Sequence, residues 1–85
     1  MTIFEYAISI KHDLIIKFLC ESACYEVYFE NLYMYDEFSL NLREVFGNGD
    51  TIEFALISLI NKIENNRFYT CRENSIKVPE TLTIK

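Results

Sequence analysis

The sequence predicts a small α+β domain in which an antiparallel sheet packs against one main helix. A segment of helical period runs from about residue 51 to 65, and residues of strand-like alternation lie before and after it. Hydrophobic residues make up 51% of the 85 residues, with only two Gly and one Pro. A short chain of this composition can build a dense core, so we expect one compact domain over residues 1–85.

The first half of the chain favours strands, although its first ten residues fit two structures. Apolar residues alternate with others from Phe4 to Ile10, as in a strand, but Phe4, Ala7 and Ile8 also lie on one helical face. Residues 14–20 and 25–35 are rich in β-branched and aromatic side chains, which is typical of strands. Residues 38–42 also alternate, and a short helix after residue 36 is the other interpretation.

The main helix is predicted over residues 51–65. Asp50 is suited to the N-cap position, and Glu53 follows three residues later, which is the capping-box spacing. Apolar residues then recur at helical spacing: Ile52, Leu56, Leu59, Ile60 and Ile63. Gly47-Asn48-Gly49 before the helix is interpreted as a loop that needs positive φ.

The end of the chain predicts a β-hairpin. Residues 67–71 form a short first arm, and residues 73–75 form the turn. Alternation from Ile76 to Ile84 predicts the second arm. Pro79 cannot donate to a ladder, so we expect this arm at a sheet edge.

Acidic residues are concentrated in the middle of the chain. The net charge is −5, and residues 18–61 carry eight acids against one base, Arg43. The same stretch is rich in Tyr, which supplies stiff contact area at protein interfaces. We therefore predict a partner-binding surface made of Glu26, Glu30, Tyr33, Tyr35, Asp36 and Glu37. Carboxylates and tyrosines would complement a basic surface of a protein partner, whereas an acidic protein does not suit the phosphates of a nucleic acid. The simpler alternative is that Glu26, Tyr28 and Glu30 are the solvated face of a sheet whose other face, with Tyr25, Val27 and Phe29, is core.

Catalytic, cofactor and metal sites are not predicted, because no catalytic motif is present. Cys20, Cys24 and Cys71 are interpreted as reduced, packed thiols. The alternatives are a zinc site or a Cys–His nucleophile pair, each of which would use His12. The sequence has neither the ~18-residue apolar run of a membrane span nor a signal peptide, which indicates a cytoplasmic protein.

One segment resembles a known family. Gly47 to Glu53 (Gly-Asn-Gly-Asp-Thr-Ile-Glu), followed by Ala55 and Leu56, is similar to the start of the helix in HicB-type antitoxins. In those small domains strands precede such a helix. The resemblance implies an antitoxin module that masks a toxin.

The chain as a whole also resembles small phage-encoded inhibitors, including anti-CRISPR proteins, in its size, acidic charge and lack of a catalytic motif. This resemblance implies a non-enzymatic inhibitor that acts in the host cytoplasm on a basic, nucleic-acid-binding surface. It is our leading expectation. The HicB-like antitoxin is the second, and a small metal-binding or Cys-dependent enzyme is the third.

Overall fold

The computed structural model describes residues 1–36, 38–64 and 81–85, together with the main chain of residues 68–70. The elements in chain order are α1 (Ile3–Ile10), β1 (Leu14–Leu19), β2 (Cys24–Asp36), β3 (Asn41–Gly49), α2 (Ile52–Glu64) and β4 (Phe68–Thr70). The predicted α+β class with an antiparallel sheet is confirmed.

β2 is the central strand of the sheet. β3 pairs with it along one edge, and β1 pairs with its first half along the other edge. β4 pairs with residues 34–36 of β2, which also pair with β3 at residues 41–43. β4 therefore shares the β1 edge of β2, beyond the end of β1.

A β-bulge in the middle of β2 sets which side chains face the helices. The pairing with β3 shifts register between Tyr28 and Tyr33, and Asn31 has a φ of 60°. Val27 and Phe29 are buried before the bulge, and Leu32 and Met34 are buried after it. β2 advances five residues from Tyr28 to Tyr33 while β3 advances two, so β2 holds three extra residues. Strand side chains alternate strictly between faces, so this odd number keeps both halves of β2 apolar on the inner side, where the helices pack.

α1 shows that the first ten residues, which fitted both a strand and a helix, form a helix. Thr2 Oγ1 accepts from the Glu5 amide at 3.0 Å, and the Glu5 carboxylate accepts from the Thr2 amide at 2.9 Å. This capping box starts the helix, and Lys11 ends it in the left-handed conformation. Ile3 and Tyr6 from α1 enter the core.

α2 packs on the inner side of the sheet at very short range. Its buried side chains are Ala55, Leu56, Leu59, Ile60 and Ile63. Gly47 and Gly49 belong to β3 and neither has positive φ, so the interpretation of a positive-φ loop is wrong. A Cβ at Gly47 would lie 2.3 Å from the Ala55 carbonyl oxygen, and one at Gly49 would lie 2.6 Å from the Ala55 amide nitrogen. The glycines are needed because the helix backbone lies directly on the strand.

The predicted C-terminal hairpin falls mainly outside the described residues, which exclude its turn and residues 76–80. Further on, Thr83 forms a parallel bridge with Thr2. Leu82 is buried, and its amide donates to the Glu64 carboxylate. These contacts join the end of the chain to both helices. Within the described residues, no helix has the length and apolar character needed to cross a membrane.

The N-cap of α2 gives a first test. Thr51 Oγ1 accepts from the Phe54 amide at 3.1 Å, so Thr51 caps the helix in place of the predicted Asp50. Thr51→Ala should therefore lower the free energy of unfolding by about 1 kcal/mol, as measured by urea denaturation. Asp50→Ala should cost clearly less, and an equal or larger loss for Asp50→Ala would contradict this assignment.

Tyr6 gives a pH-dependent test. Its ring packs edge-on against Phe29, with centroids 5.6 Å apart. Its hydroxyl is buried without a hydrogen-bond partner in the described part of the chain, and burial raises its pKa from 10.0 to about 12. The unfolded chain therefore loses this proton at lower pH than the folded protein does. The stability linked to Tyr6 is complete below pH 10 and is lost as the pH rises towards 12, by about 2–3 kcal/mol.

The matched variant is Tyr6→Phe. It removes a buried hydroxyl without changing the ring, so stability at pH 7 should stay the same or rise. Between pH 9 and pH 11.5, the unfolding free energy should fall more steeply in the wild type than in the variant. Parallel pH profiles for the two proteins would contradict the buried, unpaired hydroxyl.

Candidate partner-binding face

The sheet has an outer face, on the side opposite the helices. No described element covers it. Strand register places on this face Ile15 and Lys17 from β1, Glu26, Tyr28, Tyr33 and Tyr35 from β2, and Leu42, Glu44, Phe46 and Asn48 from β3. Glu30 is exposed beside these residues, next to the bulge. The bulge is what brings Tyr33 and Tyr35 onto the same face as Glu26 and Tyr28, since strict alternation would have turned them towards the helices.

An apolar ridge runs along the middle of the outer face. It consists of Tyr28, Tyr33, Tyr35, Leu42 and Phe46. The Tyr28 and Phe46 rings pack across the two strands with centroids 4.9 Å apart, and Tyr35 lies opposite Leu42. Tyr33 is 43% exposed and Leu42 is 51% exposed. Exposed apolar side chains gathered on one face in this way are typical of interaction sites on soluble proteins.

Charged side chains flank the ridge. The Lys17 ammonium lies 5.4 Å from the centre of the Tyr28 ring. Its hydrogen bond to Tyr28 raises the pKa of Lys17, and the nearby charges of Glu26 and Glu30 raise it further. On β3, Glu44 lies opposite Tyr33 and between Leu42 and Phe46. The outer face thus carries three carboxylates, of which Glu26 and Glu30 act on the one ammonium group, Lys17.

Asp36 does not belong to this face, which corrects its prediction as a contact residue. It is fully buried, and its carboxylate accepts from Arg43 at 3.3 Å and from the Phe38 amide at 3.0 Å. Its carbonyl accepts from the Leu40 amide at 2.8 Å. Asp36 thus anchors the turn between β2 and β3. Glu37, the other predicted acid of this segment, lies outside the described residues.

The acidic stretch does not form one surface. Glu21 lies in the turn between β1 and β2, and Asp50 and Glu53 lie at the start of α2. Of the predicted contact residues, the outer face brings together Glu26, Tyr33 and Tyr35, with Glu30 at its border. Sequence reasoning missed Leu42, Glu44 and Phe46, whose alternation would have revealed them if residues 41–49 had been predicted as a strand.

The histidine and the described cysteines lie apart. His12 precedes β1, and its Nδ1 donates to the Glu30 carbonyl at 2.9 Å. Cys20 follows β1 and Cys24 begins β2, so the six-residue strand separates them from His12 by about 20 Å. This geometry does not provide the Cys–His pair with either cysteine. Cys71 lies outside the described residues, within which no cluster of three or more His, Cys, Asp and Glu is suited to a metal ion.

Comparison with known proteins adds no relative. No protein-family model, no curated protein and no solved structure matches the chain.

Proposed function

We propose that this protein is a non-enzymatic inhibitor that binds a basic surface of a partner protein through its outer face. The observation that supports the proposal is an apolar ridge that lies open on the sheet and is bordered by Glu26, Glu30 and Glu44. Aromatic side chains in the centre of a contact surface with charged groups at its rim are the usual arrangement of a protein interface.

The ridge would supply most of the binding energy. Tyr33 and Tyr35 are 43% and 37% exposed, so each still has a large area to bury. Tyrosine loses little conformational freedom on binding, because it has only two side-chain torsions, and its hydroxyl can hydrogen-bond at the edge of the contact. The carboxylates would mainly speed the encounter and select a basic partner.

Charge favours a protein partner over RNA. Aromatic residues on an open sheet can also stack on unpaired bases. Such RNA-binding sheets need basic side chains for the phosphates, whereas this face carries three carboxylates and one lysine on a chain of net charge −5. The same carboxylates would suit the arginines and lysines of a nucleic-acid-binding effector, as in an inhibitor of the anti-CRISPR kind.

A HicB-like antitoxin is the second candidate. The observation that favours it is the order of elements. α2 starts directly after Gly-Asn-Gly-Asp-Thr and follows three strands, as the resemblance to that family implies. The partner would then be a small basic toxin encoded by a neighbouring gene.

The experiment is capture of a partner from host cells, followed by affinity measurement with purified proteins. The ridge variant is Tyr33→Ala/Tyr35→Ala. Its control is Phe4→Ala/Phe54→Ala, which removes two aromatic rings that are 46% and 61% exposed on the helices. We expect the ridge variant to weaken binding at least tenfold, mainly through faster dissociation, and the control to bind normally. If the control variant loses binding to the partner while the ridge variant keeps it, the proposal is refuted.

Charge reversal tests the carboxylates separately. Glu26→Lys/Glu44→Lys and Glu21→Lys/Glu53→Lys change the net charge equally, but only the first pair lies on the outer face. The first variant should associate several-fold more slowly, and raised salt should weaken the wild type in the same way. Equal losses from both variants would mean that net charge, and not this face, controls the encounter.

A further inference from the structure

Among the residues that the structure describes, β1 is an exposed edge strand without the usual protection. Within the described residues, β1 pairs only with β2, so the main-chain groups on its other edge have no strand partner. Its sequence is Leu-Ile-Ile-Lys-Phe-Leu, with one charge and no proline. Soluble proteins usually protect such edges with charges, prolines or a covering element, because an open apolar edge pairs with other chains.

β3, the strand at the opposite side of the sheet, is protected. The Lys62 ammonium of α2 donates to the Phe46 main-chain carbonyl at 2.6 Å. Arg43 and Glu44 add charges along this strand, and its last residues lie directly beneath α2. The edges therefore differ, and β1 is the edge that is open to another strand.

Two apolar side chains of β1 remain exposed on the inner side of the sheet. Ile16 is 41% exposed and Phe18 is 59% exposed, although strand register places both on the same side as buried Val27. Phe18 contacts Tyr25, with ring centroids 5.2 Å apart. A further strand placed against β1 would cover both side chains.

We propose that a second copy of this chain pairs with β1, antiparallel, with a two-fold axis perpendicular to the sheet at Ile16. Ile16 then lies opposite Ile16 of the second copy, and Phe18 lies opposite Leu14 of the second copy. On the outer side, Lys17 lies opposite Ile15 of the second copy. β1 is thus complementary to a second copy of itself. Binding of an unrelated partner would not require this self-complementarity, so it favours a second copy as the partner.

The charge of Lys17 and the apolar surface of Phe18 favour this register over its neighbours. An axis at Lys17 would place two ammonium groups directly opposite each other, which is unfavourable. An axis at Ile15 would leave Phe18 without an apolar partner. Pairing at Ile16 also keeps each outer face on the same side of one continuous sheet. Because a single strand pair buries less than the roughly 1,200 Å² of a stable complex, the dimer is expected to be reversible and concentration-dependent.

Sedimentation equilibrium of the full chain tests the dimer. The wild-type mass should rise from monomer towards dimer with concentration. Ile16→Lys places two ammonium groups at the axis and should weaken association at least tenfold. Phe54→Lys is the control, because Phe54 is an exposed apolar residue on α2 that lies against Gly49 of β3, the opposite edge of the sheet; it should associate like the wild type. Circular dichroism checks that all three are folded. A wild type that stays monomeric at millimolar concentration, or an Ile16→Lys protein that dimerises normally, would overturn the proposal.

Disulfide cross-linking tests the register. In a background with Cys20, Cys24 and Cys71 replaced by serine, Ile16→Cys places two thiols on directly opposed residues, whose Cα atoms lie about 4.5–5.5 Å apart. That distance suits a disulfide, so mild oxidation should give a covalent dimer. Phe18→Cys is the matched control. In this register residue 18 of one copy lies four residues along the strand from residue 18 of the second copy, about 13 Å away. Faster cross-linking through Phe18→Cys would exclude the Ile16 register.

Discussion

Replacing Gly47 with alanine is expected to lower the free energy of unfolding by about 3 kcal/mol or more, although it adds only one methyl group. The added Cβ would lie 2.3 Å from the Ala55 carbonyl oxygen and 2.5 Å from the Leu59 amide nitrogen. Both are backbone atoms, which cannot rotate away as a side chain can. The helix must therefore move off the sheet, and the packing of Leu56 and Leu59 loosens with it.

Urea denaturation measures this effect. The control is Asn48→Ala, because Asn48 is the exposed neighbour whose side chain lies on the outer face. It should change the unfolding free energy by less than about 0.5 kcal/mol. Equal stability of Gly47→Ala and Asn48→Ala would show that α2 does not lie directly on this strand.

Leu59→Ala is expected to cost about 2–5 kcal/mol. Leu59 is fully buried in the core between α2 and the sheet, and its truncation removes apolar contacts and leaves a cavity. The matched control on the same helix is Asn61→Ala, which is exposed and should stay within about 0.5 kcal/mol of the wild type. Thermal or urea unfolding distinguishes the two, and an unchanged melting temperature for Leu59→Ala would mean that another face of α2 is buried.

The α+β class could be predicted because the helical spacing of apolar residues over a long segment matches the buried face of a helix in the structure. The apolar residues from Leu56 to Ile63 repeat at helical spacing, and the structure buries most of them. α1 was harder, because eight residues fit both periods. In the structure the Thr2–Glu5 capping box starts α1. The same two residues are visible in the sequence, but a single capping box does not distinguish a helix from a strand without tertiary contacts.

The outer face could be predicted only in part. Glu26, Tyr33 and Tyr35 share that face because of the bulge around Asn31, and an odd number of inserted residues, three here, reverses the orientation of every side chain after it. Neither a glycine nor a proline marks this position, so the sequence does not reveal the bulge.

Asp36 illustrates a different limit. Acidic residues are seldom buried unless they are paired, which made an exposed Asp36 the natural expectation. Its partner, Arg43, is seven residues away and reaches it only because the turn folds β3 back along β2. Such a pair cannot be identified before the turn is known.

Hydroxyl-radical footprinting of the protein alone and with its captured partner tests the outer face most directly. Radical oxidation reports the solvent exposure of individual aromatic side chains. If the outer face binds the partner, Tyr28, Tyr33, Tyr35 and Phe46 should lose reactivity in the complex, while Phe4 and Phe54 on the helices stay as reactive as in the free protein. Protection of Phe4 and Phe54, with Tyr33 and Tyr35 still fully reactive, would contradict the outer face as the binding surface.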